Sequence, residues 1–403
     1  MKKNLCALVL ASFQLLRLQA FAQGSLTPPA GPAPTMKSLD QIASTGTAIN
    51  DTNTPGDSTD TYIISSPGSY YLTGNLNGTP GKNGILISSD DVTVELNGFV
   101  VACGVAGQSS VSGVIDSGSH RNLAIRNGTI RGWGIGNVNL NSNNVELRNL
   151  RLTSGQSDGT FATGDGVSAR SASKLLIIDC LASNNAGDGF ATGINASGIN
   201  CSATGSVLSG FSGSGTTLSH CSADTNGIGF FIFGAGNLSH CSAVSASGQS
   251  TGIILGPDSV APDCVASGNG GDGFSLNGRN HLTHCVANGN GQGINAGTGS
   301  TVTACTASSN TGNGIIFTSD CVITNNNANL NGGNGFESSG SLNRIDSNAA
   351  TSNTGHGFVW GNDYLVRNTA FANTGGDYTP TPGTGNSGPR QAASSATNPF
   401  ANF

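Results

Sequence analysis

The sequence predicts an all-β fold: a single coil of short parallel strands in which each turn stacks on the turn before it. Cysteine recurs about every 21 residues, mostly as Cys-x-Ala, and a Gly followed by Phe or Ile returns with the same period, as in Gly189-Phe190 and Gly314-Ile315. No segment has a ten-residue run with helical spacing, and 61 of the 403 residues are glycine, which weakens helices. A repeat this short cannot bury an apolar face alone, so we expect turns spaced by about 4.8 Å to form the core together.

The cysteine position continues as asparagine on both sides of the cysteine series. Both side chains are small, and a buried Asn can pass a hydrogen bond from one turn to the next, as stacked amides do. We therefore predict one structural ladder and a coil of about 13 turns. The ladder consists of Asn97, Asn127, Asn149, Cys180, Cys201, Cys221, Cys241, Cys264, Cys285, Cys305, Asn326, Asn348 and Asn368.

The oxidation state of the cysteines has two interpretations. Neighbouring turns would bring Cα atoms to about 4.8 Å, within the range that a disulfide tolerates. The exchange of Cys for Asn along the ladder favours buried free thiols instead, with one or more disulfides as the alternative. The sequence has no Cys-x-x-Cys with a partner pair, so we predict no metal site in the cysteine column.

The ends of the chain differ in composition from the coil. Residues 1–22 combine Lys2 and Lys3, an apolar run and a small-x-small site ending at Ala22, which are the features of a secretory signal peptide. We expect cleavage near Ala22 and a secreted, periplasmic or cell-surface protein. Residues 23–60 are expected to be a flexible lead-in, 61–83 cap strands, 84–378 the coil and 379–403 a flexible tail. The last six residues have two further interpretations, a lower cap or a recognition tag.

Composition excludes some classes of partner. The net charge is −6 and only 9% of the residues are charged, whereas nucleic-acid binding requires a clustered excess of Lys and Arg. Beyond residues 1–22, no stretch approaches the roughly 18 apolar residues that a membrane span needs. We expect a monomer with polysaccharide as the possible partner, no nucleic-acid partner and no membrane span.

Several motifs resemble those of known proteins. The repeats are similar to the right-handed parallel β-helix, or pectin-lyase-like, superfamily, which includes pectate lyases, polygalacturonases and alginate epimerases. Residues 67–75 (Pro-Gly-Ser-Tyr-Tyr-Leu-Thr-Gly-Asn), 96–99 (Leu-Asn-Gly-Phe), 126–131 (Arg-Asn-Gly-Thr-Ile-Arg) and 398–403 (Asn-Pro-Phe-Ala-Asn-Phe) more closely resemble uncharacterised secreted bacterial β-helix proteins. The resemblance implies a right-handed parallel β-helix and a surface or matrix protein associated with carbohydrate. Fold alone implies no single activity.

The enzymatic motifs of that superfamily are incomplete in this chain. Gly355-His356-Gly357 resembles the Gly-His-Gly of polygalacturonases, but the accompanying Asn-Thr-Asp, Asp-Asp and Arg-Ile-Lys are absent, as is the Asp-Pro-His of an epimerase centre. The outward positions on the strands after the Gly-x-Gly turns are nearly free of charge, which does not favour the calcium site of a lyase. His356 is a candidate catalytic residue only because Gly355-His356-Gly357 resembles the polygalacturonase motif.

Two further groups of residues are candidate sites. Asp165 and Asp188 occupy the same position in successive repeats, so their carboxylates could lie about 5 Å apart, a spacing that suits a retaining glycosidase or Ca²⁺. Alternatively they are solvated turn residues. The column before the cysteines is Asp179, Asn200, His220, His240, Asp263 and His284. Of these, His220, His240, Asp263 and His284 are candidate ligands for a transition metal or a glycan, with a solvated polar corner as the alternative.

Three functions from different classes are compatible with these observations. The first is a carbohydrate-associated surface or matrix protein without catalysis. The second is a lyase or hydrolase that acts on an anionic polysaccharide, with Asp165, Asp188 or His356 as catalytic residue. The third is a structural fibre or adhesin module. No cofactor is expected, with Ca²⁺ as the only alternative.

Overall fold

The computed structural model describes residues 46–104, 110–116, 118–156, 164–246, 248–380, 386–391 and 398–403. The predicted signal peptide and residues 23–45 of the predicted lead-in lie outside this part of the chain. Within it every regular element is a β-strand, and neighbouring strands pair in parallel. No helix able to cross a membrane occurs among these residues.

Each turn contributes up to three strands, which stack into three parallel sheets along the coil. Sheet A contains β2 (Asp60–Ile64), β5 (Asn83–Ile87), β8 (Val114–Asp116), β10 (Gly136–Asn139), the start of β12 (Asp165–Ile178), β14 (Phe190–Ile194), β17 (Ser209–Ser214), β20 (Ile228–Ile232), β23 (Ile253–Leu255), β26 (Asp272–Leu276), β29 (Gln292–Ala296), β32 (Ile315–Phe317), β35 (Phe336–Ser338), β38 (His356–Val359) and β41 (Gly376–Thr379). Sheet B contains β1 (Thr47–Ala48), β3 (Gly68–Tyr71), β6 (Val92–Glu95), the first parts of β9 (Arg121–Arg131) and β11 (Asn143–Thr153), the end of β12, β15 (Ser197–Ile199), β18 (Thr217–Ser219), β21 (Asn237–Ser239), β24 (Val260–Pro262), β27 (His281–Thr283), β30 (Thr301–Thr303), β33 (Val322–Thr324), β36 (Arg344–Asp346) and β39 (Tyr364–Val366). Sheet C contains β4 (Leu76–Asn77), β7 (Val100–Ala102), the last parts of β9 and β11, β13 (Leu181–Ser183), β16 (Ser202–Thr204), β19 (Ser222–Asp224), β22 (Ser242–Val244), β25 (Val265–Ser267), β28 (Val286–Asn288), β31 (Thr306–Ser308), β34 (Asn327–Asn329), β37 (Ala349–Thr351) and β40 (Thr369–Phe371).

The coil has about 15 turns, slightly more than predicted from the ladder. The difference arises partly at the amino-terminal end, where residues 61–83 were expected to be cap strands. In the structure β2, β3 and β4 pair in parallel with β5, β6 and β7, so these residues form a full turn of the coil. The Gly-Phe/Ile period marks the turns correctly but is absent from this first one.

The interior is a stack of equivalent side chains from successive turns. Phe190, Phe211 and Phe230 stack with ring centroids 4.9 and 5.0 Å apart, and the rings of Phe358 and Tyr378 lie 5.3 Å apart. A glycine precedes Phe190, Phe211, Phe230 and Phe358, and the close approach of the next turn requires it. A Cβ on Gly293, for example, would lie 2.3 Å from the carbonyl oxygen of Gly314.

The cysteines lie directly above one another, because the Cys-x-Ala strands of sheet C pair in register. The paired alanines are Ala182, Ala203, Ala223, Ala243, Ala266, Ala287 and Ala307. All seven thiols are buried and free. The backbone N–H of Cys264 donates to Sγ of Cys285 at 3.4 Å, and the N–H of Cys305 donates to Oδ1 of Asn326 at 2.8 Å. Asn replaces Cys in the later turns of this column because sulfur and amide oxygen accept the same inter-turn hydrogen bond.

The ladder assignment requires one correction, for Asn97, Asn127 and Asn149. The register places Asn127 and Asn149 beside Asp179, and Leu150 rather than Asn149 beside Cys180. All three asparagines have positive φ, from 51° to 59°, as does Asp179. The left-handed corner one residue before the buried position also favours Asn, and the sequence pattern alone does not distinguish these two reasons for Asn.

A second buried amide ladder lies five residues after the first, and the sequence analysis missed it. In each turn the backbone N–H donates to the Oδ1 of the next turn at 2.9–3.1 Å. Its members are Asn269, Asn290, Asn310, Asn331, Asn353 and Asn373. The signal was present as an Asn recurring at a fixed distance from the Cys/Asn column.

The first described residues are ordered, although residues 23–60 were expected to form a flexible lead-in. From Gly46 onward the chain joins the coil, because β1 pairs with β3 and Ile49 is buried. The Asn50 side chain then closes a turn by accepting the N–H groups of Thr52 and Asn53 at 3.0 and 2.9 Å.

Of the two interpretations of the last six residues, the structure agrees with a lower cap, so this part of the tail is not flexible as expected. Oδ1 of Asn402 accepts the N–H of Asn368 at 3.0 Å, which extends the first amide ladder by one member. The Tyr378 hydroxyl donates to the carbonyl oxygen of Phe403 at 2.8 Å. These contacts satisfy polar groups that the last turn would otherwise leave without a partner.

We expect Asn348→Ala to lower the free energy of unfolding by about 2–4 kcal/mol, because Oδ1 of Asn348 accepts two buried donors of Asn326. Urea denaturation measures the loss. Asn327→Ala on the outward face of sheet C is the matched control and should change stability by less than about 0.5 kcal/mol. Equal losses in the two variants would contradict the ladder as a source of stability.

Candidate functional site

An open groove of about 400 Å³ lies on the outer face of sheet A, where β12, β14, β17 and β20 follow one another. We call it the sheet A groove. The lining residues that matter for its chemistry are Arg170, Asp188, Ser209, Ser212, Phe231 and Phe233.

Arg170 reaches this groove because of an irregularity in β12. The strand passes from sheet A into sheet B, and its register with β14 shifts between Ala169 and Ser173. Bulges of this kind redirect a side chain. The sequence analysis predicted a nearly uncharged face here, and it missed Arg170 because the residue lies outside the regular outward positions of the repeat.

Asp165 and Asp188, predicted to share a column, both contact the Arg170 guanidinium. Oδ2 of Asp165 lies 3.1 Å and Oδ2 of Asp188 lies 2.9 Å from the same Nη2. Oδ1 of Asp165 accepts the backbone N–H of Asp188 at 2.8 Å. The Asp188 carboxylate also accepts the Ser209 N–H at 2.7 Å and the Ser212 hydroxyl at 2.8 Å. The two aspartates therefore converge on one cation rather than pointing apart into solvent.

Burial dominates the ionisation of Asp165, whose side chain has no exposed surface. Burial raises the pKa of Asp165 to about 7, the Arg170 guanidinium opposes this rise, and the Asp188 carboxylate adds to it. The three groups together carry a net charge between zero and −1 around neutral pH. The sheet A groove consequently presents a guanidinium whose charge is already balanced.

This geometry does not suit either aspartate as a general acid or a calcium ligand. Asp165 is fully buried and Asp188 is 4% exposed, so a substrate has little access to their oxygens. The Arg170 guanidinium lies between the two carboxylates, where a shared cation would bind. Among the described residues, no group of three or more His, Cys, Asp or Glu side chains is placed to hold a metal ion.

The opposite wall of the groove is aromatic. Phe231 and Phe233 have ring centroids 5.7 Å apart and an interplanar angle of 52°. Phe233 is 56% exposed, and Val207 beside it is 68% exposed. The groove thus combines an apolar wall with hydroxyl and guanidinium donors, the usual composition of a small-molecule site.

His356, the candidate from the Gly-His-Gly motif, begins β38 and is partly buried. Its backbone N–H donates to Oδ1 of Asn334 at 2.7 Å, and its Nδ1 has no hydrogen-bond partner within the part of the chain that the structure describes. A catalytic histidine is normally oriented by a partner on its second nitrogen. His356 instead belongs to a polar row along sheet A in which Asn313 and Asn334 both donate to Glu337, at 2.7 and 2.8 Å.

The histidine column predicted from the sequence lies along the corner between sheets B and C. The rings of His220 and His240 stack at 4.8 Å and 4°. Asp263 stands between His240 and His284, at 3.9 and 4.0 Å from the nearest ring nitrogens. All four side chains are well exposed, and all four residues have positive φ. The arrangement is an open polar corner.

Comparison with known proteins agrees with this architecture. Residues 242–373 match the protein family described as a right-handed β-helix region. The coil is a right-handed parallel β-helix. No curated protein sequence matches the chain.

Several solved structures share the β-helix at low sequence identity. They include the A-module of the Azotobacter vinelandii mannuronan C-5 epimerase AlgE6, with 14% identity over 77% of this chain and 91% of that one, at a TM-score of 0.44. ORF18 of Geobacillus virus E2 has 11% identity over 77% of this chain and 61% of that one, at a TM-score of 0.39. The Dettilon tailspike protein has 14% identity over 85% and 68%, at a TM-score of 0.34.

We expect Asp165→Asn to remove a pH dependence of stability. The pKa of Asp165 is about 7 in the folded chain and 3.8 as the ordinary value, so the folded state binds the proton more tightly. The stabilisation is complete below about pH 4 and is lost as pH rises through 7, by about 4 kcal/mol in total. Urea denaturation from pH 4 to pH 8 should show wild type losing stability relative to Asp165→Asn, with Asp263→Asn on the exposed corner as the control. If the free energy of unfolding changed with pH in the same way for wild type and Asp165→Asn, the raised pKa of Asp165 would be contradicted.

Proposed function

We propose that this β-helix protein binds a polysaccharide in the sheet A groove without cleaving it. The observation that carries the proposal is the pairing of an exposed aromatic wall, formed by Phe231 and Phe233, with an arginine held in place by two buried carboxylates. The C–H face of a sugar ring packs on an aromatic side chain while its hydroxyl groups exchange hydrogen bonds with polar neighbours.

Arg170 supplies the donors for this recognition. Both aspartates accept hydrogen bonds from Nη2 of Arg170. Among the described residues, no partner engages the other two guanidinium nitrogens, so these are available to sugar oxygens. Fixing the guanidinium in advance lowers the entropy lost when a ligand is bound. Because Asp165 and Asp188 balance its charge, we expect neutral sugar units to bind better than uronates.

The absence of cleavage is inferred from the positions of the acidic groups. Both carboxylates of the groove are engaged by Arg170 and by backbone or hydroxyl donors, which leaves neither free to transfer a proton to a glycosidic oxygen. The features of residues 1–22 support a secreted or cell-surface location for this binding, and we propose that the protein acts as a monomer.

We expect the purified protein to bind at least one neutral polysaccharide in affinity electrophoresis, with neither new reducing ends nor 4,5-unsaturated ends, with or without Ca²⁺. Phe233→Ala should weaken that binding by about tenfold, or 1.4 kcal/mol, through loss of the aromatic contact. Phe371→Ala, which removes a 69% exposed phenylalanine from sheet C, is the matched control and should bind as wild type does.

Two outcomes would overturn this proposal. Failure to bind any member of a panel that contains both neutral and anionic polysaccharides would refute binding itself. Cleavage that is abolished by Asp188→Ala would establish the lyase or hydrolase alternative, since the carboxylate would then take part in the reaction.

A further inference from the structure

The column of seven cysteines has no role in the sheet A groove and is the largest group of nucleophilic side chains in the described chain. Its thiols are at most 2% exposed. The column is Cys180, Cys201, Cys221, Cys241, Cys264, Cys285 and Cys305. Cys321 and Cys103 lie outside it. Cys321 directly precedes β33 of sheet B, and its backbone N–H donates to Oδ1 of Asn343 at 2.8 Å.

Neighbouring thiols in the column are within reach of one another. The strands that follow the cysteines pair in register from β13 to β31, so consecutive Cα atoms lie about 4.8 Å apart, inside the roughly 4.4–6.8 Å range of disulfides. The sulfur of Cys285 lies 3.4 Å from the backbone nitrogen of Cys264, and that of Cys305 lies 3.4 Å from the nitrogen of Cys285. Both of these sulfurs therefore already extend toward the cysteine of the adjacent turn.

We propose that the thiol column is a modification site at which cysteines of adjacent turns are joined by reversible disulfides when a low-molecular-weight disulfide is present. A column thiolate attacks the small disulfide, forms a mixed disulfide and releases one small thiol. The thiolate of the next turn then displaces the second small thiol. The two cysteines lose two electrons and two protons, and the reagent is reduced to two thiols.

The same geometry predicts that these bonds are slow to form and easily reduced. Reagent reaches the buried thiols only when turns open locally. At Cys180 burial also raises the pKa of the thiol to about 11, so its reactive thiolate is scarce. Side chains directly opposite on parallel strands are farther apart than the mean Cβ separation in a disulfide, about 3.8 Å, so closure strains the turn. Strained disulfides are the readily reduced ones.

If disulfides form only between adjacent turns, their maximum number depends on where the column is interrupted. Seven thiols in one run form at most three disulfides and leave one thiol. Cys180→Asn leaves a run of six, which still forms three. Cys241→Asn also leaves six cysteines but divides them into two runs of three, which form two disulfides. Asn is tolerated in this column because it occupies the same position at Asn326, where it accepts the N–H of Cys305.

The experiment incubates the folded full chain with excess oxidised glutathione, alkylates the remaining thiols and maps the linked peptides by mass spectrometry. We expect up to three disulfides, all between adjacent turns, in wild type and Cys180→Asn, and no more than two in Cys241→Asn. Dithiothreitol should reverse them, and circular dichroism should show that the fold is retained.

Other results would overturn the proposal. These are equal numbers of disulfides in the two six-cysteine variants, links between turns that are not adjacent, or no column disulfide after prolonged incubation. If Cys103 or Cys321 form the only disulfides, the result counts as the absence of a column disulfide. The outcome is independent of whether the sheet A groove binds carbohydrate.

Discussion

The structure depends on one repeated hydrogen bond, in which the backbone N–H at a buried corner donates to a side-chain acceptor of the next turn. It recurs from Cys264 to Cys285, from Cys305 to Asn326 and from Asn326 to Asn348. The chain bends sharply at these corners, so its N–H groups cannot join a strand ladder, and a buried donor without a partner costs about 1–3 kcal/mol. Stacking equivalent residues supplies that partner at every turn.

This constraint explains why the interior consists of columns. A side chain that accepts the N–H of the preceding turn belongs to a residue whose own N–H donates to the equivalent side chain of the following turn, so a small acceptor is kept at this position along the coil. The two amide ladders and the thiol column are results of that rule. The Phe190–Phe211–Phe230 stack follows from the same register between turns. The ladder ends when Asn402 folds back from the carboxyl terminus and occupies the next position.

The sheet A groove occurs where the repetition is broken. The column that carries amides in later turns carries Asp165 and Asp188 here, and two buried carboxylates on adjacent turns would repel each other without a cation. The register shift in β12 brings Arg170 between them. Phe233 and Val207 are exposed on the opposite wall. A departure from the repeat therefore creates a balanced charge cluster that lines a groove.

By itself the sequence determined the coil, the parallel stacking and the later part of the Cys/Asn column, because these follow from a period that every turn must obey. It placed Asn127 and Asn149 one residue out of register, since a left-handed corner and a buried ladder both favour Asn. Only the tertiary structure decided that Asp165 and Asp188 share Arg170 and that Phe233 faces them. Those contacts depend on a local shift between two strands and on side chains from different turns, and a repeating pattern contains no information about the places where it fails.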